Sequence, residues 1–138
     1  APPGPQRLTG DWTDWPLTAG DWVYRRDQRG SIALFGMSGA DALVTLRCDI
    51  ERKRIYLARA GEGTGSFVIR SSAMMKELVG RPTGAVPSYI AAELMPADPI
   101  LDAVIYSRGR IALEVAGQLP IAIPAWPEIG KVVEDCRG

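Results

Sequence analysis

The chain has 138 residues and no histidine, and its 16 basic residues balance 16 acidic ones, for a formal net charge of zero. A domain of this length buries about two thirds of its unfolded surface, enough for a real core. The missing imidazole excludes the commonest general base, the Ser-His-Asp triad and most zinc sites, and the balanced charge argues against the basic footprint of a nucleic-acid binder.

Residues 1–9 are proline-rich and read as a loose N-terminal segment, with a single globular domain over 10–138. The opening APPGPQ lacks the charged-then-apolar pattern of a signal peptide and reads as a mature N-terminus. No stretch approaches the roughly 20 apolar residues that span a bilayer, so no membrane-spanning segment is expected. Gly-Asp-Trp occurs at 10–12 and again at 20–22. Trp22 then opens an alternating run, with Trp22 and Tyr24 on one side and Val23 and Arg25 on the other, which is strand periodicity. After DQRG, Ile32 and Leu34 alternate again, and the loop ending in Gly30 predicts a hairpin.

Further strands are predicted over 43–48, with Val44, Leu46 and Cys48 on one face, and over 55–58 after the turn DIERK. GEGTG at 61–65 then leads into 67–71 and reads as another hairpin turn. A phosphate loop would lie between a strand and a helix, whereas strand patterns flank this segment on both sides. Residues 73–79 are ambiguous between helix and strand, GRPTGAVP at 80–87 reads as loop, and 88–94 as a strand. The period changes at ADPILDAVIYSRG: Asp98 caps, Pro99 takes the first helical position, and Ile100, Leu101, Val104 and Ile105 share a face. Ile111, Leu113 and Val115 alternate, and AGQ turns the chain toward Leu119, Ile121 and Ile123. Pro127 opens a last helix whose apolar residues are Ile129, Val132, Val133 and Cys136. The sum is mainly β: an antiparallel β-sandwich or partly closed barrel of about seven or eight strands. Two short helices complete it, the last of them C-terminal; an α+β layer arrangement is the alternative.

Only two cysteines occur, Cys48 and Cys136. The strand periodicity points Cys48 inward and the helical periodicity points Cys136 inward, so a disulfide between them is expected, tying the terminal helix to a central strand. Closing so long a loop contributes ~4–5 kcal/mol in the chain-entropy model. Such a bond places the protein in an oxidising compartment, the periplasm or outside the cell. The pair lacks the C-x-x-C spacing of redox-active cysteines.

Other chemistry is thinner. Asp11, Asp14 and Asp21 stand beside Trp12, Trp15 and Trp22, and Glu93, Asp98 and Asp102 form a second acidic group. Carboxylates beside aromatics suit glycan hydrolysis, yet no spacing selects a catalytic pair, and capping and packing account for most of them. No calcium-loop spacing occurs. Arg52, Lys53 and Arg54 crowd one turn and Arg108 and Arg110 flank Gly109, positions suited to an anion or an acidic partner. A serine nucleophile among Ser71, Ser72 and Ser107 would need Lys76 or another amine as its base. No cofactor or metal is predicted, and no catalytic residue is assigned.

The segments DWVYRRD (21–27), SRGR (107–110) and EDCR (134–137), with VTLRCD (44–49), resemble small uncharacterised exported proteins of alphaproteobacteria, sphingomonads especially. More remotely, the order of strands, LDAVIYS (101–107), a hairpin and a terminal helix is similar to the invasion-associated locus B proteins, periplasmic or envelope β-rich domains whose additional cysteines this chain lacks. The resemblance implies export, a disulfide and a β-sandwich, and no reaction. The expectation is a non-enzymatic exported domain that binds a protein or envelope component, with Trp12, Trp15, Trp22, Trp126, Arg108 and Arg110 as contact candidates. A carboxylate-based glycan hydrolase and a carrier of a small ligand in an interior cavity are the alternatives.

Overall fold

The structure, a computed structural model, describes residues 11–138; the segment 1–9, expected to be loose, lies outside the described residues. Nine strands follow in chain order: β1 (Asp21–Asp27), β2 (Gly30–Gly36), β3 (Val44–Asp49), β4 (Arg54–Ala60), β5 (Gly65–Arg70), β6 (Met75–Pro82), β7 (Tyr89–Leu94), β8 (Arg110–Val115) and β9 (Ile121–Pro124). Two α-helices, α1 (Pro99–Ile105) and α2 (Pro127–Arg137), complete the described fold, with one 3₁₀ turn at Trp12–Asp14. All strand neighbours are antiparallel, in the spatial order β1-β2-β3-β4-β7-β6-β5-β8-β9.

The sheet curls until its two ends meet. The indole N–H of Trp22 on β1 donates to the carbonyl of Pro124 on β9 at 2.8 Å. The chain entering β1 runs beside β9: Leu17 forms a parallel bridge with Ala122, and the Thr18 N–H donates to the Ala122 carbonyl at 2.8 Å. The mainly β expectation holds in its partly closed barrel form, with residues 75–82 resolving the ambiguous segment as a strand.

One face of the sheet points inward and carries Trp22, Ala33, Phe35, Val44, Leu46, Ile55, Leu57, Phe67, Ile69, Ile90, Leu113 and Ile123, all buried. Helix α2 lies on the inner face of β1 to β4 and touches α1. Its Ile129, Val132 and Val133 are buried. α1 begins as its sequence dictates, with the Asp98 carboxylate accepting from the Ile100 N–H at 3.0 Å and Pro99 in the first turn. Cys48 of β3 and Cys136 of α2 are joined in a disulfide with their Cα atoms 5.5 Å apart, 88 residues apart in sequence. Both periodicities therefore pointed their sulfurs into one space.

Two expectations change. GEGTG is not a hairpin turn: β4 pairs with β3 and β7, whereas β5 pairs with β6 and β8. The segment is a corner that carries the chain past two strand positions, and glycines 61, 63 and 65 there all have positive φ. Gly80, Arg81 and Pro82, read as loop, extend β6; Arg81 and Pro82 pair with Ala91 and Ile90 of β7. In β2 the buried residues are Ser31, Ala33 and Phe35, so Ile32 and Leu34 are half-buried on the outer face. An aromatic and a small residue suit the interior row, and the branched pair is left to cover the sheet from outside.

Candidate binding groove

The outer face of β3, β4, β7 and β6 places Thr45, Ala58, Ala91 and Arg81 in one register row across four strands. With strands 4.7–4.9 Å apart, that row spans about 14 Å. Small side chains at Ala58 and Ala91 leave a depression along it. Its deeper part, about 670 Å³, lies among Arg52, Tyr56, Val79, Arg81, Ala91 and Glu93. Arg52, Tyr56, Thr83 and Ala91 also line an adjoining hollow of about 320 Å³ that reaches Ile32, Thr45 and Arg47. The two share Arg52, Tyr56, Thr83 and Ala91 and form one groove, with the small side chains of Ala58 and Ala91 beside Tyr56 and arginines around them.

The charges along it are not equally compensated. Arg47 holds the Asp27 carboxylate through two nitrogens, at 3.0 and 2.7 Å. Asp27 also accepts the N–H groups of Arg29 and Gly30 at 3.1 Å each, fixing the β1–β2 turn. The Arg47 hydrogen bond brings the Asp27 pKa down to about 2. Arg29 pairs with Asp49 at 3.2 Å. Glu93 lies 3.7 Å from Arg54 and accepts the Tyr56 hydroxyl at 3.3 Å. Arg52 and Arg81 are exposed, and neither makes an ion pair among the described residues. The Tyr56 phenol raises the Arg52 pKa further. The groove thus offers two guanidinium forks, each able to take a carboxylate bidentately.

The residues singled out in the sequence are scattered. Trp22 is 4% exposed, stacked at a tilt on Phe35 with ring centroids 5.4 Å apart. Trp15 is 6% exposed and packs on Ala112 and Ala122, opposed residues on the outer face of β8 and β9, with Trp12 half-buried beside it. Trp15 and Trp22 are therefore not surface contacts: paired alanines leave room for one indole, and sheet closure encloses the other. Trp126 keeps 38% exposure at the start of α2. Arg110 is half-buried, and its guanidinium donates to the Trp15 carbonyl. Arg108 is exposed; its N–H donates to Ser72 Oγ at 3.0 Å.

The carboxylates and hydroxyls are likewise spread. Asp11 caps the 3₁₀ turn, and Asp102 pairs with Arg137 at 2.7 Å. Asp98 caps α1 and pairs with Lys76. Ser71 Oγ donates to the Met74 carbonyl at 2.9 Å, closing its own turn, and Ser107 Oγ donates to the Arg110 carbonyl at 2.5 Å. Among the described residues no group of three acidic or cysteine side chains is placed to hold a metal. Arg59 points inward, 6% exposed, and donates to the carbonyls of Ala60 and Leu119 at 2.9 and 2.8 Å. Burial lowers its pKa, and it ties the β8–β9 turn to β4.

Sequence reasoning found Arg52 but missed Arg81, Thr83 and Ala91, which lay in or beside a segment read as loop. Their only signal was composition, and alternation is too short there to place a face. The class defined by these features, among the described residues, is a nine-stranded antiparallel half-barrel whose ends meet through the Trp22 indole and the backbone at 17–18, stapled by one disulfide. Compared with known protein families, curated proteins and solved structures, the chain matches none.

Proposed function

We propose that this protein is an exported β-domain of the periplasm or cell exterior that binds a protein or envelope component through its outer groove. The observation that carries the binding reading is the groove itself, a depression lined by Tyr56, Ala58 and Ala91 with two arginines that make no ion pair among the described residues. Arginine and tyrosine are enriched at interfaces. The intramolecular disulfide supports the oxidising compartment. The chain contains no histidine, and Ser71, Ser107, Asp11, Asp98 and Asp102 are engaged in turns, caps and ion pairs. These features favour binding over catalysis. Among the described residues no helix is long and apolar enough to cross a membrane.

Site-specific cross-linking in cells tests this reading. A photoreactive side chain introduced at Thr83 is expected to capture a defined partner, while the same group at exposed Ala19, away from the groove, does not. Equal labelling at both positions, or recovery of the protein with reduced thiols in the cytosolic fraction, overturns it.

A further inference from the structure

The proposed binding reading leaves the occupant open, and the groove's charge and dimensions narrow it. We infer that the groove receives an extended acidic peptide segment of a partner protein, with carboxylates taken by Arg52 and Arg81 and small apolar residues lying over Ala58 and Ala91. This inference rests on the groove reading above and adds the chemical class of the occupant.

Three observations carry it. The first is charge complementarity. Arg29 and Arg47 on the same rim are satisfied by Asp49 and Asp27, and Glu93 by Arg54 and Tyr56. What remains along the groove without an ion pair among the described residues is Arg81, at the β6 end of the row, and Arg52, in the β3–β4 turn. The second is length. The row from Thr45 to Arg81 crosses three strand spacings, about 14 Å, which four to five residues of extended chain at about 3.3 Å each would cover. Alternate residues of such a chain point the same way, so acidic residues reach the rim while the ones between face the floor. The third is the interior of the groove, where Ala58 and Ala91 are small and lie between Thr45 and Arg81 in the register row, beside Tyr56.

The probe is the acetylated, amidated heptapeptide GEVEAEG, titrated into the oxidised protein and followed by backbone amide NMR. Its partners are GQVQAQG and an oligogalacturonate of similar length. The acidic peptide is expected to shift the amides of Ala58, Thr83 and Ala91. Its affinity is expected to fall at least tenfold in R52Q/R81Q, with the variant's remaining spectrum and melting temperature unchanged. The glutamine peptide is expected to bind at least tenfold more weakly than the acidic one. Equal binding of both peptides overturns the acidic class. So does a response of these amides to the oligogalacturonate and not to the peptide. No response from either peptide, in a protein whose Thr83 cross-linker still captures a partner, overturns the inference and leaves the binding reading standing.

Discussion

Trp22, in the first strand, donates its indole N–H to the carbonyl of Pro124, at the end of the last strand. The pair is 102 residues apart in sequence and stands at opposite ends of the sheet order. One side-chain hydrogen bond thus does at this point what a ladder of backbone bonds does between neighbouring strands. Trp22→Phe keeps a ring against Phe35 and removes the donor, leaving a buried carbonyl unsatisfied. The expected cost is about 1–3 kcal/mol, read from urea denaturation. Hydrogen exchange should show the lost protection concentrated in β9 and the 17–18 segment. Equal loss over the whole sheet would mean that closure is not local to this bond.

The disulfide fastens α2 to the C-terminal end of β3. Replacing both cysteines by alanine releases a loop of 88 residues, worth ~4–5 kcal/mol in the chain-entropy model. That is comparable to the whole stability of many small domains. C48A/C136A is expected to be largely unfolded at 37 °C, or to melt far below the native protein with α2 exchanging freely. Alkylation of the native protein is expected to modify neither cysteine before reduction and both after it.

Gly80 sits in β6 where a side chain has no room. A Cβ there would lie 2.7 Å from Ile90 Cγ2 and 3.3 Å from Phe67 Cδ2, both on residues with almost no exposure. Gly80→Ala is expected to destabilise the protein by about 1–3 kcal/mol through overpacking, measured by thermal melting. Gly84→Ala, a position with open space but positive φ, separates backbone strain from packing.

Asp27 links pH to stability. Its carboxyl falls from an ordinary 3.8 to about 2, chiefly through the hydrogen bond from Arg47. A carboxyl depressed in the native state stabilises fully above its ordinary pKa, and the contribution is lost as pH falls from about 4 toward 2. The side chain is 38% exposed, so solvent screening holds its worth to about 1 kcal/mol or less. Asp27→Asn keeps an oxygen for the N–H groups of Arg29 and Gly30 and removes the charge. It is expected to lower stability slightly at pH 7 and to flatten the profile between about pH 4 and 2. Urea midpoints measured across that range check both points.

Much of this architecture was legible in the sequence, for local reasons. Alternation with a period of two marks a strand whatever its neighbours are, and a helix beginning at Asp98-Pro99 or Pro127 needs only its own first turn. The same local rules aimed Cys48 and Cys136 inward, and a disulfide between two inward sulfurs was a short step. What only the tertiary structure decided is who stands beside whom. GEGTG looked like a hairpin turn because strands flank it. Yet β7 returns to pair with β4, and that choice depends on burying Ile90 and Leu94 against residues distant in sequence. Burial of Trp15 depends on two alanines about a hundred residues away, Ala112 and Ala122, and the groove depends on a register row drawn from four strands. Periodicity belongs to adjacent residues and is written in the chain; neighbourhood belongs to contacts between distant segments, and only the closed sheet brings those together.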